Sequence, residues 1–360
     1  MKKIKMRRVL SLCLTLTIVI SMLSLCCVSS SAVKLNEGID ALRAGWSRGK
    51  GPLVNDWDID YSYYSPVENG ADPEGKYPLV IFMAGALEGQ YEGKELEANE
   101  VARLTSEEYQ SRFKNGGAFI LIPRAPEEDS LYWDQSKLVP SLMAAIKDFV
   151  DTHPQVDKTQ IINEGWCLGG TGAINLATYE PEYFAGTVIM CPSRSLTATE
   201  AKKLANNNVW FISCITDSYS NFSNCNYRSW LLMKLYSGNK SSIRLTTYAD
   251  APDTELVPGV PFIENHNVWD NVSSDMELTD ELYKGHKTID GNCKAVEDKG
   301  MISWINTLSN EKAGGVKTKR SFIAEIMEKI FYDFHENFKA DARLKIFDIL
   351  TVIYKAMGWI

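Results

Sequence analysis

The polar and apolar positions of this chain change period several times, and each change marks an element. Residues 56–65 (DWDIDYSYYS) alternate polar with aromatic side chains at period two, which predicts a half-exposed strand. Residues 78–83 (PLVIFM) are apolar throughout and stop at Ala84-Gly85, the pattern of a strand covered on both faces. Residues 118–122 (AFILI) repeat it and end at Pro123. A helical spacing runs over 138–150, the next strand is expected at 160–163 (QIIN), and a helix from about 172 to 179. Residues 187–191 (TVIMC) and 209–213 (VWFIS) are further short apolar runs, with a helix-compatible stretch at 199–205 between them. The last strand is expected at 243–248 and the closing helix at 301–308. Strands alternating with helices over 79–308 predict an α/β fold, a doubly wound and mostly parallel sheet with helices on both faces. Such folds bind ligands at the carboxyl ends of their strands.

The two ends of the chain follow other patterns. Residues 1–32 read as a signal peptide: five Lys/Arg among the first eight residues, an apolar run over 9–28, and small residues ending Ser30-Ser31-Ala32. A secreted, extracellular protein is the expectation; a lipoprotein, processed at Cys26 after Leu23-Ser24-Leu25, and an N-terminally anchored protein, with the apolar run left in a bilayer, are the alternatives. Residues 33–312 form the expected main domain, 313–321 (AGGVKTKRS) a linker, and 322–360 an amphipathic helical tail. In the tail Phe322, Ile326, Ile330, Phe334 and Phe338 recur at helical spacing, and a second stripe runs over 344–357. Lys345, Asp348 and Lys355 argue against a transmembrane span there, so the stripes are expected to dock on the main domain or a partner, or to contact a membrane surface.

Charge and cysteine count narrow the function classes. The formal charge of the 360 residues is −8, and losing the five cations of the leader makes it −13. An acidic body without a basic face is a poor partner for phosphate backbones, so nucleic acid is not expected as a ligand. Cys167, Cys191, Cys214, Cys225 and Cys293 remain after the leader, an odd number that leaves at least one thiol free within the chain. No calcium-loop pattern occurs, and the chemistry suggested below needs neither metal nor cofactor.

The candidate chemistry sits in residues 163–170, NEGWCLGG. A nucleophile elbow is a tight strand-to-helix turn that needs small residues two before and two after the nucleophile, and Gly165 and Gly169 flank Cys167 in that way. A helix N-terminus at Cys167 would favour the thiolate. The acid and base should follow in that order. Asp217, after the strand at 209–213, is the preferred acid over Asp250 and Asp253, and His266, after the strand at 243–248, the preferred base over His286. His153 precedes the elbow, and His335 lies in the tail. Trp133, Trp166 and Trp269 are candidates to line a cleft and stack on a sugar or aromatic group.

These residues resemble the α/β-hydrolase superfamily, and within it the secreted esterases related to polyhydroxybutyrate depolymerases, feruloyl esterases and predicted peptidases. The resemblance covers roughly residues 56–308. It rests on Tyr77 to Gly85 (YPLVIFMAG), similar to Y-P-L-V-x-F-L-H-G, on the elbow, on 209–217, and on His266-Asn267-Val268-Trp269, similar to an H-x-x-W ending. It implies Cys167 as nucleophile, Asp217 as orienting acid, His266 as base, and an oxyanion hole from the backbone N–H groups of Leu168 and Ala86. Two positions depart from the pattern: the usual serine is Cys167, as in the similar G-x-C-x-G-G elbow of dienelactone hydrolases, and the usual turn histidine is Ala84. The activity implied is hydrolysis of a carboxylic ester, on a small molecule or a decorated polysaccharide. The competing class is an inactive binding protein for glycans or peptides on the same scaffold.

Overall fold

The computed structural model describes residues 45–86, 96, 104–126, 133, 136–249, 265, 266, 268, 287–296 and 300–310. The leader, linker and tail, together with Trp269, His286, Asp250 and Asp253, lie outside the described residues.

Among the described residues nine strands form one sheet: β1 (Ser47–Lys50), β2 (Asp60–Tyr64), β3 (Tyr77–Met83), β4 (Phe119–Pro123), β5 (Val156–Trp166), β6 (Gly186–Met190), β7 (Val209–Cys214), β8 (Ile243–Tyr248) and β9 (Lys287–Asp290). Their spatial order is β1-β2-β4-β3-β5-β6-β7-β8-β9. The six from β4 to β8 pair in parallel, while β1, β2 and β9 run antiparallel at the two edges. The described helices are α1 (Glu107–Gln110), α2 (Val139–Thr152), α3 (Leu168–Tyr179), α4 (Ala198–Lys203), α5 (Asn226–Tyr236) and α6 (Met301–Ile305).

The unbroken apolar strands follow from two cores, one on each face of the sheet. Leu79, Ile81 and Met83 of β3 point into a core with Ile146 and Phe149 of α2, Ile174 and Leu176 of α3, and Trp230 of α5. Val80, Phe82 and Ala84 alternate into a second core with Tyr109 of α1 and Met301, Ile302 and Trp304 of α6. A strand buried on both sides has no polar face, so all seven residues of β3 are buried.

The structure departs from the sequence-based expectation at several elements. β8 is not the last strand, because β9 (KTID) pairs antiparallel with it. β9 and β1 (SRGK) are four-residue edge strands with polar outward positions, so neither carries an apolar signature. α3 begins at Leu168, immediately after Cys167, rather than near residue 172. α5 has no counterpart among the expected elements, although Trp230, Leu231, Leu232 and Met233 are all buried.

Candidate active site

The elbow is set by backbone geometry at the end of β5. Cys167 follows Trp166 with φ 57° and ψ −120° and is the N-cap of α3. A non-glycine residue with this dihedral costs about 1–3 kcal/mol and persists only where the surroundings hold it. Here the glycines hold it. A Cβ at Gly165 would strike the Gly169 carbonyl, and one at Gly169 would strike the carbonyl oxygens of Met83 and Ala84. The first turn of α3 therefore seats directly on the backbone at the end of β3. The N–H of Leu168, in that first turn, has no helical carbonyl to pair with. Ala86 lies in the adjoining turn after β3. The two expected oxyanion donors thus belong to neighbouring pieces of backbone.

Asp217 lies beyond the end of β7, and His266 comes from beyond β8. His266 Nδ1 and Asp217 Oδ2 are 2.8 Å apart, and both side chains are buried. The other carboxylate oxygen, Oδ1, accepts from the backbone N–H of Tyr219 at 2.8 Å and of Ser220 at 2.9 Å. Ser220 Oγ in turn donates to the Pro192 carbonyl at 2.6 Å, tying the loop after β7 to the loop after β6. A carboxylate held by three bonds cannot rotate away from the ring. His266 Nε2 is buried and forms no hydrogen bond, while the Cys167 thiol lies close enough to interact with the ring. Burial alone would lower the basicity of His266. The Asp217 carboxylate and the Cys167 and Cys191 thiols outweigh it and push His266 up to about 12, so the ring favours its protonated form.

Sequence reasoning passed over Cys191 except as one of several thiols. Its Sγ, a carboxylate oxygen of Asp217 and a ring nitrogen of His266 lie within 4.8 Å of one another, all buried. Sulfur, imidazole and carboxylate are donors that suit zinc. The carboxylate, however, is already engaged by two N–H groups and the ring, so the set is arranged to share protons. The missed signal was positional: Cys191 follows β6 as Cys167 follows β5. All five described cysteines are free thiols.

Of the three tryptophans expected to line a cleft, Trp133 and Trp166 are buried, and Trp269 lies outside the described residues. Trp133 is buried in the core against Gly172 of α3, where its Cβ occupies the space a glycine leaves. Trp166 is also buried, because it is the last β5 residue on the α6 face. Its Nε1 donates to the His266 carbonyl at 2.9 Å, and its ring lies 5.1 Å from the imidazole. It therefore fixes the histidine. Among the described residues, Ile215 and Tyr219 are exposed large hydrophobic side chains on either side of Asp217, with the Tyr219 ring 5.4 Å from that of His266. Asn226, at the start of α5, was also not foreseen; its amide donates to the Ile212 carbonyl at 2.7 Å and to Ser213 Oγ at 2.5 Å, which braces the end of β7.

A parallel sheet flanked by helices, with a thiol on the turn after β5 and an acid and a histidine delivered beyond β7 and β8, defines the α/β-hydrolase fold. Comparison with solved structures agrees. The chain is similar to the crystal structure of a thermostable esterase, at 18% identity and a TM-score of 0.54, over 74% of this chain and 64% of that one. It thus spans less than two thirds of the esterase's length. An acylaminoacyl peptidase from Pyrococcus horikoshii matches at 13% identity and a TM-score of 0.40, over 52% of this chain and 34% of that one. At 18% identity the likeness to the esterase is one of fold. No family model and no curated protein matches the chain.

Proposed function

We propose that this chain is a hydrolase that cleaves carboxylic esters through a Cys167–His266–Asp217 triad, acting outside the cell on ester-decorated polysaccharides or related small esters. One observation carries the reading: the buried His266–Asp217 pair at 2.8 Å, next to a thiol on a strained strand-to-helix turn. A buried carboxylate and imidazole cost free energy unless they are paired, and their placement beside an elbow nucleophile is the arrangement acyl transfer needs.

In this mechanism the protonated His266 faces Cys167 as an ion pair. The sulfur attacks the ester carbonyl, and the N–H groups of Leu168 and Ala86 receive the oxyanion. His266 then gives its proton to the departing alcohol, leaving a thioester on Cys167. Water, deprotonated by His266, releases the acid and restores the thiol. Asp217 holds Nδ1–H throughout, so Nε2 stays the working nitrogen. Exposed Ile215 and Tyr219 offer an apolar and an aromatic surface beside the reacting carbonyl.

Assay of short aryl esters under reducing conditions tests the reading. Cys167→Ala should lower kcat/KM by about 10³-fold or more, as loss of a triad nucleophile does elsewhere. An alanine variant as active as the parent would remove Cys167 from the chemistry. No turnover on any ester by the parent, together with saturable glycan binding, would favour the binding-protein reading, for which Ala84 in place of the turn histidine is the supporting feature.

A further inference from the structure

β5 and β6 run in parallel with Trp166 paired to Met190, so the next residues, Cys167 and Cys191, leave the two strands side by side. Both have left-handed backbones, φ 57° and 42°. The Cys167 amide donates to the Met190 carbonyl at 3.0 Å, one residue before Cys191. That bond sets the two Cα atoms about one strand spacing apart, roughly 5 Å, inside the window of about 4.4–6.8 Å that disulfides occupy. The His266 ring interacts with both thiols, and Cys191 Sγ also donates weakly to the Ile212 carbonyl of β7 at 3.9 Å. Cys167 is half-buried and within reach of a solute, whereas Cys191 is fully buried.

We propose that Cys167 and Cys191 form a two-cysteine redox site, in which a hydroperoxide oxidises Cys167 and Cys191 resolves the product as a Cys167–Cys191 disulfide. The Cys167 thiolate attacks one peroxide oxygen, the O–O bond breaks, and hydroxide or alkoxide leaves, giving a sulfenic acid. The Cys191 sulfur then attacks the Cys167 sulfur. An S–S bond forms as the S–O bond breaks, and the Cys191 proton passes through His266 to the departing hydroxide as water. Two thiols thus supply two electrons to one peroxide, and an external dithiol reverses the change. Burial pushes Cys191 up to about 12, which keeps it a protonated thiol until the sulfenic acid forms beside it. A resolving thiol spares Cys167 the irreversible step to sulfinic acid.

The proposal uses Cys167 as a reactive thiol, as the hydrolase reading does, but mass reads it without ester turnover, so the two fail separately. The full chain is treated with a few equivalents of hydrogen peroxide, free thiols are blocked, and the intact mass and the digest are measured. The expected product lacks two hydrogens, yields a linked Cys167–Cys191 peptide, and is restored by dithiothreitol. In Cys191→Ser, Cys167 should instead gain two oxygens and stay oxidised after dithiothreitol. Overoxidation of Cys167 in the parent as fast as in Cys191→Ser would overturn the proposal. Should that variant fail to fold, the linkage map of the parent decides alone: a bridge between other cysteines, or none, sinks the pair.

Discussion

At the scale of single residues, His266 is governed by what touches each of its nitrogens. Asp217 on Nδ1 is the largest influence that raises its basicity. Its protonated form therefore persists through the neutral range and is lost only when the pH rises far above neutrality. Asp217→Asn removes the main support of that cation. It should lower kcat by roughly 10²–10⁴-fold and move the alkaline limb of the pH–rate profile downward; an unmoved limb would show that Asp217 does not set the charge of His266. Trp166 acts on the same histidine from its backbone. Trp166→Phe loses the 2.9 Å bond to the His266 carbonyl while keeping an aromatic ring, which should cost about 1 kcal/mol of stability. Kinetically kcat should fall and KM change little. A change confined to KM would return Trp166 to the substrate-contacting role that its position in the sequence suggested.

At the scale of elements, the elbow depends on contacts that a glycine pattern only hints at. Gly169 is needed because α3 lies on the carbonyl groups of Met83 and Ala84, with no room for a methyl group. Gly169→Ala must push the helix off β3, at a cost of about 1–3 kcal/mol or more, and it spreads apart the backbone N–H groups proposed as oxyanion donors. A Gly169→Ala chain with parental melting temperature and turnover would show that the close seat of α3 on β3 is not needed. The glycine spacing and the apolar strands made this much legible from sequence, because tight turns and double-sided burial leave plain residue signatures. The pairing of Asp217 with His266 was legible by position, once the strands were known. The edge strands β1 and β9 were not, since an exposed edge tolerates charge and needs no apolar run. Cys191 was hidden for another reason: only the register of β6 on β5 brings it beside Cys167, and register is a property of two strands that neither carries alone.

At the scale of the whole molecule, the buried ionisable groups make stability fall as pH rises. Glu164 lies on β5 between Ile162 and Trp166, facing the same core, beside Phe82 of β3 and Val188 of β6. It is buried, and its Oε2 forms no hydrogen bond. Loss of water raises the carboxyl to about 8, so the folded chain keeps a proton that the unfolded chain gives up near 4.5. The stability Glu164 contributes as a neutral acid is thus complete below about pH 4.5 and is lost as the pH rises through about 8. His266 works in the same direction over a different window. Its contribution is complete below the ordinary histidine value of 6.5 and declines above it toward about 12. The windows separate the two groups: between pH 5 and 6.5 Glu164 dominates this pair, and above it both act. Glu164→Gln keeps the side-chain shape and removes the titration. Denaturant unfolding at closely spaced pH values should show the parent losing up to about 1.4 kcal/mol per pH unit from Glu164, and the variant nearly level between pH 5 and 6.5, then sloping above it through His266. Equal slopes in parent and variant over pH 5–6.5 would mean that the Glu164 carboxyl is already ionised there, with its charge compensated in the fold.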